Sequence, residues 1–98
     1  MNIVKNLEGT KLVIALEGRL DTTTAPELEN EVKQSVENVT ELIFDFEKLE
    51  YISSAGLRVL LAAQKIMNKQ GTMVVKNVDA TIMEIFEVTG FSDILKIE

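Results

Sequence analysis

The sequence predicts an α/β domain: a short hairpin followed by strand–helix–strand units. Three observations predict it. Lys11–Glu17 and Leu42–Phe46 are dense apolar runs of the kind found in strands inside a sheet. Between and after them, apolar residues repeat at helical spacing, as in Leu28, Val32, Val36 and Val39. The connections are short, with no linker, repeat or low-complexity tract.

The size and charge narrow this further. A chain of 98 residues fits one domain, spanning residues 1–98. At this size a chain buries roughly 60–70% of its unfolded surface, enough for one core. Cysteine and histidine are both absent. That removes disulfides, a thiol nucleophile, a Ser-His-Asp triad, imidazole metal sites and a phosphohistidine relay. The net charge of −6 makes nucleic acid a poor partner. The longest apolar runs, Leu12–Leu16 and Val59–Ala63, are five residues, too short to span a bilayer. Met1–Glu8 lacks the shape of a signal peptide. The expectation is a soluble, cytoplasmic, acidic domain, and nothing demands a dimer.

Ile3–Leu7 is a short strand, and Glu8-Gly9 turns it into Lys11–Glu17 as an antiparallel hairpin. Leu12, Ile14 and Leu16 share one face, with Val13 and Ala15 on the other. Gly18-Arg19-Leu20-Asp21 leaves that strand. Thr24-Ala25-Pro26-Glu27 has capping-box spacing, and Pro26 suits a first helical turn. The cap is Thr24 or, because a residue before proline disfavours the helical region, Ala25. The helix then runs along Leu28, Val32, Val36 and Val39.

Leu42–Phe46 is the next strand, followed by a charged turn through Glu47–Glu50. A helix from about Ser54 to Gln70 has Leu57, Leu60, Leu61, Gln64 and Met67 on one face, widened by Ala62, Ala63 and Ile66. Gly71 stops it in the left-handed position. Met73–Lys76 is a strand. Asp79 caps a last helix carrying Ile82, Ile85 and Phe86, Gly90 ends it, and Ile94–Ile97 is a final strand. Strand–helix–strand units this close imply right-handed crossovers and parallel pairing.

The stretch Asp45–Leu57 carries the candidate chemistry. Ser53 and Ser54 stand where a strand gives way to a helix. Spacing alone reads Ser54 as the cap, worth about 1 kcal/mol. The same position suits a phosphate, because free N–H groups and the helix dipole both favour an anion there. Ser53 is the alternative acceptor. Sites in α/β domains tend to lie beyond the ends of parallel strands.

The residues Asp45-Phe46, Leu49, and Tyr51-Ile52-Ser53-Ser54-Ala55-Gly56-Leu57 closely resemble the signature of STAS domains, specifically the bacterial anti-sigma-factor antagonists. Gly18-Arg19-Leu20-Asp21 with Thr22–Thr24 and Pro26 resembles a second signature block, and Met73-Val74-Val75 through Phe86–Phe91 resembles the usual ending. The resemblance implies a small mixed sheet with a β-α superhelix. It implies a non-enzymatic, cofactor-free binding switch, phosphorylated at Ser54 by an anti-sigma factor that is also a serine kinase. Unmodified, the chain would bind that kinase and displace a sigma factor, and a PP2C-type phosphatase would restore it. The docking surface would comprise Asp21, Thr22, Ser53, Ser54, Ala55, Gly56, Leu57 and Arg58. Many members carry Asp where Ser53 stands, and Ser or Thr where Ala55 stands.

Other readings compete. STAS-like domains also serve as scaffolds or nucleotide-sensing modules, with Ser54 only a cap. A hydrolase would need a base to activate a serine, and no His or Cys is available. Asp21 reads locally as a turn residue bonding its own backbone. Asp45 reads as satisfying groups at a strand end. The two could offer oxygen ligands to magnesium, but their spacing does not support it. Arg19 and Arg58, the cations nearest the site in sequence, read as solvated surface residues.

Overall fold

A computed structural model describes residues 1–98. The strands are β1 (Asn2–Glu8), β2 (Lys11–Leu20), β3 (Glu41–Ile52), β4 (Thr72–Lys76) and β5 (Lys96–Ile97). The helices are α1 (Ala25–Ser35), α2 (Ser54–Asn68) and α3 (Ala80–Thr89), with a short 3-10 turn at Phe91–Asp93. The strands lie side by side in sequence order. β1 and β2 are antiparallel, and every later pair is parallel. This is the mixed sheet with a β-α superhelix that the resemblance implied. No helix is long and apolar enough to cross a membrane.

Sequential parallel strands joined by right-handed crossovers place all the helices on one face of the sheet. The register builds the core there in rows, Leu12–Leu42–Met73 and Ile14–Phe44–Val75. Leu28, Val32, Leu60, Ala63, Met67, Ile82 and Phe86 close over these rows. Phe46 links the sheet to α3, its ring centroid 6.5 Å from that of Phe86. Val13, Ile43 and Val74 form a row on the other, helix-free face. There Ile43 and Val74 sit among Lys11, Glu41, Lys76 and Lys96, whose long stems shield them.

The parallel middle of the sheet is longer than the hydrophobic runs suggest. β3 does not end at Phe46 but continues to Ile52, so Glu47–Glu50 is strand and not turn. Two bulges explain the appearance. Ala15 pairs Asp45 and Glu17 pairs Lys48, so β3 holds one extra residue, and a second lies between Leu49 and Tyr51. A bulge puts neighbouring side chains on the same side, which breaks the two-residue alternation that identifies a strand. β2 likewise runs past Glu17 to Leu20, through Gly18 at φ +99°, where a side-chain-bearing residue would be strained.

Other boundaries shift for local reasons. α1 ends at Ser35, and Val39 is buried outside it, beyond a turn with Asn38 at φ 65°. Thr24 occupies the cap position of α1 but makes no side-chain capping bond, so the capping box does not form. Asp79 does cap α3, accepting from Ile82 N at 2.8 Å. Val59 joins the buried face of α2, whereas Ala62 is exposed. The last strand is only Lys96–Ile97, because Phe91–Asp93 coils and the following turn buries Leu95.

Gly71 is not left-handed. α2 has already ended at Asn68, and Gly71 is needed for space instead. A Cβ there would lie 1.9 Å from the Thr40 carbonyl oxygen. That oxygen accepts from Thr72 N at 2.9 Å, starting the β3–β4 pairing. Beside it, Gln70 Nε2 donates to Val36 O at 2.7 Å and Val39 O at 2.6 Å, tying the end of α2 to the α1–β3 connection. Gly71→Ala should therefore lower the urea midpoint, with a loss of about 1–3 kcal/mol. An unchanged midpoint would show that the Thr40 backbone yields without cost.

Candidate functional site

The candidate site lies where the two longest strands end. β1 pairs with β2 only as far as Glu17, and β4 pairs with β3 only from Glu41 to Asp45. Beyond those points β2 and β3 continue alone as a two-stranded parallel ribbon to the pair Leu20–Ile52. Asp21 and Ser53 are the next residues on each strand. Ser53 N donates to Leu20 O at 2.9 Å, which holds them side by side.

The first turn of α2 is pressed onto this ribbon. A Cβ on Gly56 would lie 2.7 Å from Leu20 Cγ and 2.9 Å from Ile52 Cγ1. Only glycine lets the helix approach that closely without displacing two buried side chains. The start of α2 is thereby fixed against the residues that lead into Asp21.

The cap of α2 is Ser53, not Ser54. Ser53 has extended backbone (φ −98°, ψ 176°), and its side chain accepts from Gly56 N at 3.4 Å. The bond from Ser53 N to Leu20 O keeps that residue in strand conformation, so the helix begins one residue later than the cap reading of Ser54 requires. Ser54 is the first helical residue, exposed, with its hydroxyl free of the capping role. No acidic residue lies in the first turn. The positive end of the helix dipole is therefore not offset by a carboxylate from α2 itself.

Asp21 organises the neighbouring turn. Its Oδ1 accepts from Thr23 N at 3.0 Å, Thr23 Oγ1 at 2.8 Å and Thr24 N at 3.2 Å. Thr24 Oγ1 accepts from Asp21 N at 2.8 Å and donates to Arg19 O at 2.8 Å. The local turn reading of Asp21 is thus realised, and the hydroxyl of Thr24 serves this turn rather than α1. The Thr23 hydroxyl, followed by the Thr24 N–H, holds the Asp21 carboxyl below its ordinary range. Its second oxygen faces the Arg19 Nε at 3.8 Å.

Arg19 is more than a solvated charge. Its guanidinium lies 4.3 Å from the centroid of the Tyr51 ring, its partner across the ribbon. The bulge after Leu49 sets that pairing, and a bulge leaves no mark in residue order, so the sequence could not reveal it. The structure thus gathers Arg19, Asp21, Thr22, Tyr51, Ser53 and Ser54 at one edge. Ala55 is half-buried and Arg58 exposed, but Gly56 and Leu57 are buried against the sheet. Those two position the surface and do not present a side chain on it.

Asp45 does not belong to this site. It pairs with Ala15, six residues before Asp21, roughly 20 Å along the strand. Its Oδ1 accepts from Glu47 N at 3.0 Å and Asn77 Nδ2 at 2.9 Å, tying the bulge to the end of β4. Asp21 and Asp45 are too far apart to share a magnesium ion.

Because folding lowers the Asp21 pKa, the carboxylate adds stability above the ordinary carboxylate range, and this is lost as pH falls through the lowered value. An NMR titration of the Asp21 carboxyl should show a midpoint below that of an ordinary aspartate. Thr23→Val should move it upward. Equal midpoints in the two proteins would mean that the hydroxyl does not hold the charge.

Residues 2–98 match the STAS domain family. The chain is 35% identical over 88 residues to BtrV of Bordetella bronchiseptica, covering 88% of this chain and 76% of BtrV. It is 32% identical to the anti-sigma-B factor antagonist of Listeria monocytogenes, covering 100% of this chain and 90% of that protein. The fold is similar to that of the anti-sigma factor antagonist SpoIIAA of Bacillus, solved unphosphorylated and phosphorylated. The TM-scores are 0.79 and 0.78 at 20% identity, each covering 99% of this chain and 87% and 91% of SpoIIAA. A match that spans residues 2–98, together with 32% identity to a relative covered almost end to end, places this chain in the STAS domain family.

Proposed function

We propose that this chain is an anti-sigma-factor antagonist, a phosphorylation-controlled binding switch with Ser54 as the modified residue. Unmodified, it binds an anti-sigma factor that is also a serine kinase, and a sigma factor is displaced. The kinase transfers the γ-phosphoryl group of ATP to the Ser54 hydroxyl. The Oγ–P bond forms, the bond from the γ-phosphorus to its bridging oxygen breaks, ADP leaves, and the hydroxyl proton passes to a base on the kinase. A PP2C-type phosphatase hydrolyses the ester and resets the chain. The chain acts as a single cytoplasmic domain over residues 1–98, as a regulator and not a catalyst. The names of the Listeria relative and of SpoIIAA support the general role.

One observation carries the assignment to Ser54. Ser53 does the capping, so Ser54 is left exposed at the first position of α2. A phosphate on it would add about −1.5 to −2 charges where free N–H groups face solvent, and the fold would tolerate it. Ser53 as acceptor would first have to release Gly56 N. In an interface the same charge, beside Asp21, would cost several kcal/mol to bury unpaired. Affinity would fall while the fold stays intact.

Mass spectrometry after incubation with ATP and a serine kinase encoded beside this gene tests the reading. A single phosphate should map to Ser54 and vanish in Ser54→Ala. Ser53→Ala should still be modified, while losing about 1 kcal/mol of stability with its cap. A phosphate on Ser53 would overturn the site, and no phosphate at all would favour a fixed scaffold.

A further inference from the structure

Arg58 is the one basic residue in the first turns of α2. It is exposed, and it takes part in none of the ion pairs of the fold, whose cations are Lys5, Lys11, Arg19, Lys33, Lys48 and Lys96. On a helix surface a side chain meets those three and four residues away. For Arg58 these are Ser54, Ala55, Leu61 and Ala62. None carries a charge, so no partner exists on its own helix in the unmodified chain.

Direction selects among the four. Long helical side chains lean toward the helix N-terminus, over the preceding turn. In the usual helical rotamers the Arg58 guanidinium reaches back toward Ser54, with which it shares a face at the (i, i+4) spacing.

We propose that Arg58 is the intramolecular partner of a phosphate on Ser54. The inference rests on the reading of Ser54 as the modified residue and adds how the modified state is built. A phosphate dianion offers three strong acceptor oxygens, and guanidinium binds such groups in a forked geometry. Phosphorylation then changes the surface twice. It adds negative charge at the start of α2, and it occupies the free guanidinium that the unmodified chain presents to a partner. The pair also runs along the first turn of the helix, which favours an ordered start to α2 in the modified state.

The test uses full-length protein with phosphoserine incorporated at position 54 during synthesis, so it does not depend on any kinase. Phosphorus NMR at low ionic strength follows the second phosphate ionisation, near pH 6 for an unpaired phosphoserine. Arg58→Gln should raise the midpoint by roughly 0.15–0.4 pH unit, and Arg58→Lys should recover part of that shift. Lys65→Gln, which removes an exposed charge farther along α2, should leave it unchanged. An unmoved midpoint in Arg58→Gln, or an equal rise in Lys65→Gln, overturns the pairing. Failure of a kinase to modify Ser54 would instead overturn the functional reading and leave this measurement standing.

Discussion

The approach of α2 to the end of β2 is the constraint on which the site depends. Gly56 lies where any side chain would collide with Leu20 and Ile52, both fully buried. The contact fixes the rotation of α2, sending Leu57, Leu60 and Met67 into the core and leaving Ser54 and Arg58 outside. It also fixes the height of the first turn against the ribbon, so that Ser53 can bond Leu20 O through its own N–H and cap Gly56 through its hydroxyl. A helix that stood further off would lose both bonds, and with them the separation of one capping serine from one free serine.

The ribbon explains why the site is accessible. Two strands that outrun their neighbours carry their ends away from the rest of the sheet, with the bulges in β3 adjusting its length to that of β2. Arg19 and Tyr51 brace this extension from the helix-free side. The turn at Asp21 closes it with bonds from Thr23 and Thr24, so the acidic group beside the serines is held in one orientation. A preordered surface of this kind loses little entropy on docking, and a single added charge can decide whether docking occurs.

Much of this was legible in the residue order. Interior strands announce themselves by apolar residues at successive positions, and helices by Leu28, Val32 and Leu57, Leu60, Met67 at their spacing. The hairpin, the parallel order and the cap at Asp79 follow from local rules. What was not legible depended on contacts distant in sequence. Glu47–Glu50 looked like a turn because two bulges hide the alternation. Gly71 looked like a helix stop because nothing nearby shows the Thr40 backbone pressing on it. Ser53 and Ser54 are chemically equal, and only the bond to Leu20 and the phase set by Gly56 distinguish them. The family resemblance singled out the serine pair and Asp21, and the structure distinguishes the two serines, with Ser53 capping α2 and Ser54 free of that role.

We propose that one charge at Ser54 controls association without altering the fold. Calorimetric titration of a cognate kinase-type anti-sigma factor with unmodified protein and with protein carrying phosphoserine at 54 tests it most directly, given matching circular dichroism spectra. Modification should lower the affinity at least about 100-fold, equivalent to roughly 3 kcal/mol. Equal affinities for two equally folded proteins would contradict it.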